Sequence, residues 1–182
     1  DDIEDVLRRI EKLIRDLRDH SRKLVEEIEK LIEDHTRHSR KLERDIKELL
    51  KRLRELRRRG DLTEELLRKA KEELKDLLRR HEEVSERLKR RLDKLETDHD
   101  RVIKELEDRL RRIAEELERR DTSEEVKKRL DEARRKAEKV VKESRDTLRE
   151  LKDKVRENLD RSRKELKKLE EELEEVLREA RE

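Results

Sequence analysis

The chain has 182 residues, of which 62% are charged, 29% hydrophobic and none aromatic; 57 basic and 55 acidic residues leave a formal net charge of +2. Without cysteine no disulfide, thiolate metal site or cysteine nucleophile can form, and no apolar run approaches the roughly 18 residues of a membrane span. The near-zero net charge argues against a general attraction to nucleic acid, and the hydrophobic share sits close to the about 2/7 of a two-position heptad seam.

The first predicted element, residues 2–59, carries a stripe of Ile3, Leu7, Ile10, Ile14, Leu17, Leu24, Ile28, Leu31, Leu42, Ile46, Leu49, Leu53 and Leu56, with Ser21, His35 and Ser39 filling the remaining steps. The stripe advances by about 3.5 residues per step, which is the heptad period, and not by two as in a strand. Strong patterning at low net charge also sets the chain apart from disordered sequences, which share its low hydrophobicity. The helix breaks at Arg58-Arg59-Gly60-Asp61-Leu62-Thr63. Gly60 suits the left-handed position after a helix, and Asp61 or Thr63 can cap the next one ahead of Glu64 and Glu65.

The second element, residues 63–119, runs from Leu67 and Ala70 through Leu74, Leu77, Val84, Leu88, Leu92, Leu95, Val102, Leu106, Leu110, Ile113 and Leu117, with His81, Ser85 and His99 at core steps. A second break, Arg119-Arg120-Asp121-Thr122-Ser123, places basic residues at the closing end of the helix and offers Ser123 as the next cap. The third element, residues 123–181, follows Val126, Leu130, Ala133, Ala137, Val140, Leu148, Leu151, Val155, Leu166, Leu169, Leu173, Val176 and Ala180, with Ser144, Asn158 and Ser162 in the stripe. It has the most alanine and contributes least to the core.

Three segments of nearly equal length joined by short breaks predict an all-α fold: an up-down-up bundle of three long antiparallel helices, packed like a coiled coil, as one domain over residues 1–182. At 1.5 Å per residue each helix is roughly 85 Å long. Doublets such as Val6-Leu7, Leu13-Ile14 and Leu77-Leu78 widen the apolar faces enough to meet two neighbours. Counting leaves open whether the three faces close on themselves or leave a groove for a fourth helix.

Polar side chains at core steps cost stability unless paired, so their heights matter. A hairpin turning near residue 61 brings helix one against helix two, and helix three then runs about 123 residues ahead of helix one at equal height. That map sets His20 and Ser21 level with His99 and Ser144. It sets His35, His38 and Ser39 level with His81, Ser85, Asn158 and Ser162. Two buried hydrogen-bonded layers are expected, roughly 25 Å apart, each fixing register because a slipped helix would strand its polar groups. Imidazole, hydroxyl and amide groups both donate and accept, so such sets can close. His20 and Thr147 are the members nearest the solvated edge.

Other chemistries compete for these residues. His35, His38 and His81, with Asp34 nearby, offer imidazoles for a zinc site, but the spacing His35-Thr36-Arg37-His38 is not the H-E-x-x-H pattern, and no metal or cofactor is expected. A serine hydrolase needs an oxyanion hole, and a continuous helix has no free backbone N–H to form one. Basic runs such as Arg57-Arg58-Arg59 are balanced by nearby acids, and no aromatic is present to stack on a base. The expectation is a soluble non-enzyme with no nucleic acid, membrane or small-molecule substrate among its partners.

Uniform helices of Glu, Lys, Arg and Leu, minimal breaks such as Gly60-Asp61-Leu62-Thr63 and the layered clusters His20/Ser21/His99/Ser144 and His35/Ser39/His81/Ser85/Asn158/Ser162 resemble de novo designed helical bundles with buried hydrogen-bond networks, the family that includes designed heterodimers split from four-helix bundles. The resemblance implies scaffolding or programmed association, with a designed partner helix or another copy as the partner. A self-contained three-helix scaffold is the alternative.

Overall fold

The computed structural model describes residues 2–120 and 123–181, leaving aside the side chain of Asp2. Asp121 and Thr122, part of the second predicted break, lie outside the described residues. Three helices follow in order: α1 Asp2–Arg59, α2 Glu64–Glu118 and α3 Glu124–Glu179. The molecule is all-α, with three long helices forming a bundle.

The first connection ends α1 by a glycine-dependent lock. Gly60 has φ +74°, its N–H donates to the Arg57 carbonyl at 3.1 Å, and the Asp61 N–H donates to the Leu56 carbonyl at 2.9 Å. These two bonds form a Schellman motif, which satisfies carbonyls that the helix end would otherwise leave open. Thr63, rather than Asp61, caps α2: its Oγ1 accepts from the Leu66 N–H at 3.2 Å. Glu64 and Glu65 then add charge of the sign that the helix start favours. Ser123 caps α3 more loosely, accepting from the Val126 N–H at 3.4 Å. Arg119 and Arg120, expected to close the second helix, fall just beyond its end at Glu118, where Arg120 pairs with Glu116.

The chain divides into two compact units, each built from segments of all three helices. One comprises residues 1–29 and 91–153. Its core joins Val6, Ile10, Leu13, Ile14 and Leu17 of α1 to Ile103, Leu106 and Leu110 of α2 and to Leu130, Ala137, Val140 and Val141 of α3. The other comprises residues 30–90 and 154–182. There Leu42, Ile46, Leu49, Leu50 and Leu53 pack with Leu67, Ala70, Leu74 and Leu77 and with Leu166, Leu169, Leu173, Val176 and Leu177.

Cross-helix pairs report the register within each unit. In the first, Ser21 meets Ser144 and Glu4 meets Arg129, separations of 123 and 125 residues. In the second, His35 meets Asn158 and Arg57 meets Glu179, separations of 123 and 122. These agree with the offset expected between helices one and three. Two steps of the stripe differ: Val6 and Ile103 are buried while their neighbours Leu7 and Val102 are only half-buried, so each of these doublets presents its other member to the core. Leu66, at 36% exposure, is the one exposed large hydrophobic among the described residues.

Candidate functional site: two buried polar layers

In the first unit the polar layer joins His20 and Ser21 of α1, His99 of α2 and Ser144 of α3. The Ser21 and Ser144 hydroxyls share a hydrogen bond of 2.5 Å, and Ser144 Oγ lies 2.9 Å from His99 Nε2. His99 is fully buried, and the His20 ring stacks on it with centroids 5.3 Å apart and planes 5° from parallel. Two polar atoms here have no hydrogen-bond partner although buried, His20 Nε2 and His99 Nδ1. Burial, followed by the neighbouring His20, holds the His99 imidazole below its ordinary pKa. Burial also lowers His20, against an opposing pull from Asp98. Both effects favour neutral rings, since a desolvated imidazolium is penalised.

In the second unit the layer is more extensive. His35 of α1 reaches both other helices: its Nε2 lies 3.1 Å from Ser85 Oγ on α2, and its Nδ1 lies 2.9 Å from Asn158 Nδ2 on α3. The Thr36 hydroxyl donates to Asn158 Oδ1 at 3.1 Å. His81 of α2 lies 3.2 Å from Ser162 Oγ on α3, and Ser162 in turn donates to the Leu159 carbonyl at 3.0 Å. The His35 and His81 rings approach to 5.7 Å at a tilt of 59°. Burial, then the neighbouring His81 and His38, lowers the His35 pKa to about 4. His81 is also lowered by burial, with Glu82 opposing the shift.

The structure thus brings His20, Ser21, His99 and Ser144 together in one unit, and His35, His81, Ser85, Asn158 and Ser162 in the other. Ser39 is buried in the second unit, but its hydroxyl has no partner. His38 departs from expectation. It is exposed, and its Nδ1 sits 2.7 Å from the Asp34 carbonyl of its own helix. Consecutive helical residues are about 100° apart around the axis, so with Ser39 facing inward His38 turns to solvent. Thr147 likewise bonds its own helix, donating to the Glu143 carbonyl. Thr36 joins the layer without having been singled out, although the same offset that pairs His35 with Asn158 places it beside that amide.

The chemistry open to these groups is limited by how their protons are used. His–Ser contacts at hydrogen-bond distance resemble nucleophile–base pairs, but Ser162 spends its proton on the Leu159 carbonyl. The His81 ring therefore donates to it rather than activating it. With His38 facing out, the three imidazoles weighed as zinc ligands do not converge. No group of three or more His, Cys, Asp or Glu residues among those described is placed to hold a metal ion. Nor is any described helix long and apolar enough to cross a membrane.

No protein-family model matches the chain, and no curated protein matches it. Among solved structures, it is similar in fold to a computationally designed three-helix bundle, with a TM-score of 0.50 and 20% sequence identity over 98% of this chain and 90% of that one.

Proposed function

We propose that this protein is a designed structural protein, a three-helix scaffold whose buried polar layers determine which helix faces which and at what height. One observation carries this reading: in each unit the layer draws on all three helices of the same chain, so its hydrogen bonds need no outside group to link them. The absence of aromatic residues, the charge-saturated helices and the fold shared with a designed bundle support a designed origin. Catalysis has no support, because Ser162 spends its proton on a carbonyl and the helices offer no oxyanion hole.

A second reading is association with a cognate helix or another copy. It draws on a recess of about 310 Å³ in the first unit, lined by Ile10, Leu110, Ile113, Ala114, Leu117 and Leu130, where apolar side chains border solvent. Sedimentation equilibrium separates the two. A self-contained scaffold gives a single 22.6 kDa species that binds no hydrophobic dye. A concentration-dependent larger mass, or dye binding relieved by an added amphipathic helix, favours association.

A further inference from the structure

The polar groups of the second unit follow from one another in a fixed order. The Thr36 hydroxyl donates to Asn158 Oδ1, which leaves the Asn158 amide nitrogen, a donor only, facing His35 Nδ1. His35 Nδ1 must then present its lone pair. A neutral imidazole carries its one proton on the other nitrogen, so Nε2 donates to Ser85 Oγ, 3.1 Å away. His35 is 2% exposed, so no solvent contact competes for either nitrogen.

We infer that Asn158 is the specificity-determining residue of this layer: it locks His35 as the Nε2–H tautomer and so gives the chain of donors from α1 to α3, back to α1 and on to α2 a single direction. One amide on α3 engages two adjacent residues of α1, a hydroxyl that donates and a ring nitrogen that accepts. A slip of α3 by one heptad would set Leu151 or Glu165 against His35 and Thr36. Leucine leaves both groups unpaired. Glutamate only accepts, so it can satisfy Thr36 but reverses the demand on His35 Nδ1. Of the three side chains that these registers bring to the pair, only the amide suits both α1 partners at once. This inference deepens the scaffold reading, in which the layers set helix register, by naming the residue that acts.

Long-range ¹⁵N NMR of the histidine rings tests it at pH 7.5 on the full chain. The expected spectrum has His35 Nε2 in the protonated range and Nδ1 in the unprotonated range. In Asn158→Asp, whose carboxylate can only accept, His35 Nδ1 is expected to move into the protonated range. A wild-type spectrum with the proton on Nδ1, or with both nitrogens averaged, overturns the inference, as does an Asn158→Asp spectrum unchanged at Nδ1. The wild-type spectrum decides alone should the variant fail to fold. A wrong tautomer in a monodisperse 22.6 kDa chain would sink this inference and leave the scaffold reading standing, whereas a larger mass with the expected tautomer would do the reverse.

Discussion

Ser144 and Ser39 are both buried serines at core steps, but their hydroxyls are in opposite circumstances. Ser144 Oγ serves Ser21 and His99, whereas Ser39 Oγ has no partner. Removing a shared partner leaves other buried groups unsatisfied, at about 1–3 kcal/mol, while removing an unsatisfied group relieves a cost of similar origin. Ser144→Ala is therefore expected to lower the urea midpoint, with a loss of about 2 kcal/mol. Ser39→Ala is expected to leave it unchanged or raise it. Equilibrium unfolding of the two variants checks both signs, and an equal loss in each would mean that Ser39 is paired. Glu43 gives a charged counterpart. Burial, followed by the facing Glu165, raises its carboxyl pKa, so its ionised form is strained at neutral pH. Glu43→Gln should stabilise the protein at pH 7 by about 0.5 kcal/mol, a typical size for removing a like-charge contact, measurable as a rise in the same midpoint. The heights at which polar residues gather were legible in the sequence, because the helix offset is a counting matter, but Ser39 finds no partner there and Thr36 went unnoticed. Proton direction was not legible, since it depends on which way the Asn158 amide is turned, and His38 was misplaced because His35 alone did not say which side of it faces the core.

At the scale of the elements, the turn after α1 is held by backbone geometry more than by packing. A methyl group at Gly60 would meet nothing within 4 Å, so the positive φ alone sets the cost of replacing it. Gly60→Ala is expected to cost about 1–2 kcal/mol, the penalty of a left-handed conformation for an L-residue, seen as a lower thermal midpoint with unchanged helical circular dichroism. Gly60 was readable as punctuation because glycine has few other uses there, whereas the cap stayed open between Asp61 and Thr63 until the Leu66 N–H was seen to reach Thr63. Ion pairs between helices were less readable. Glu27–Arg91 and Glu96–Lys152 in the first unit, and Arg52–Glu73 in the second, were indistinguishable in sequence from the many pairs within helices. With exposed partners in most cases, each contributes about 0–1 kcal/mol, so they add little to the choice of helix partner. On the reading proposed above, the apolar stripe and the polar layers make that choice. The misplaced steps, Leu7 for Val6 and Val102 for Ile103, reflect doublets that a period of about 3.5 cannot resolve.

For the whole molecule, the buried histidines couple folding to pH. Burial lowers His20, His35, His81 and His99, and His35 reaches about 4. Their folded pKa values lie below the unfolded value near 6.5, so the unfolded chain binds more protons between the two. Their contribution is therefore intact above about pH 6.5 and is lost as pH falls toward the folded values. Glu43 and Glu170, raised by burial, act with the opposite sign. The denaturant midpoint between pH 7.5 and pH 5, where ordinary carboxylates stay ionised, therefore reports the imidazoles most directly when Glu43 and Glu170 are replaced by Gln. If neutral histidines form the buried layers of this scaffold, stability declines through that window, by about 2 kcal/mol from His35 alone. A midpoint that stays flat from pH 7.5 to pH 5 would contradict the account, because only solvated imidazoles could gain their protons without cost to the fold.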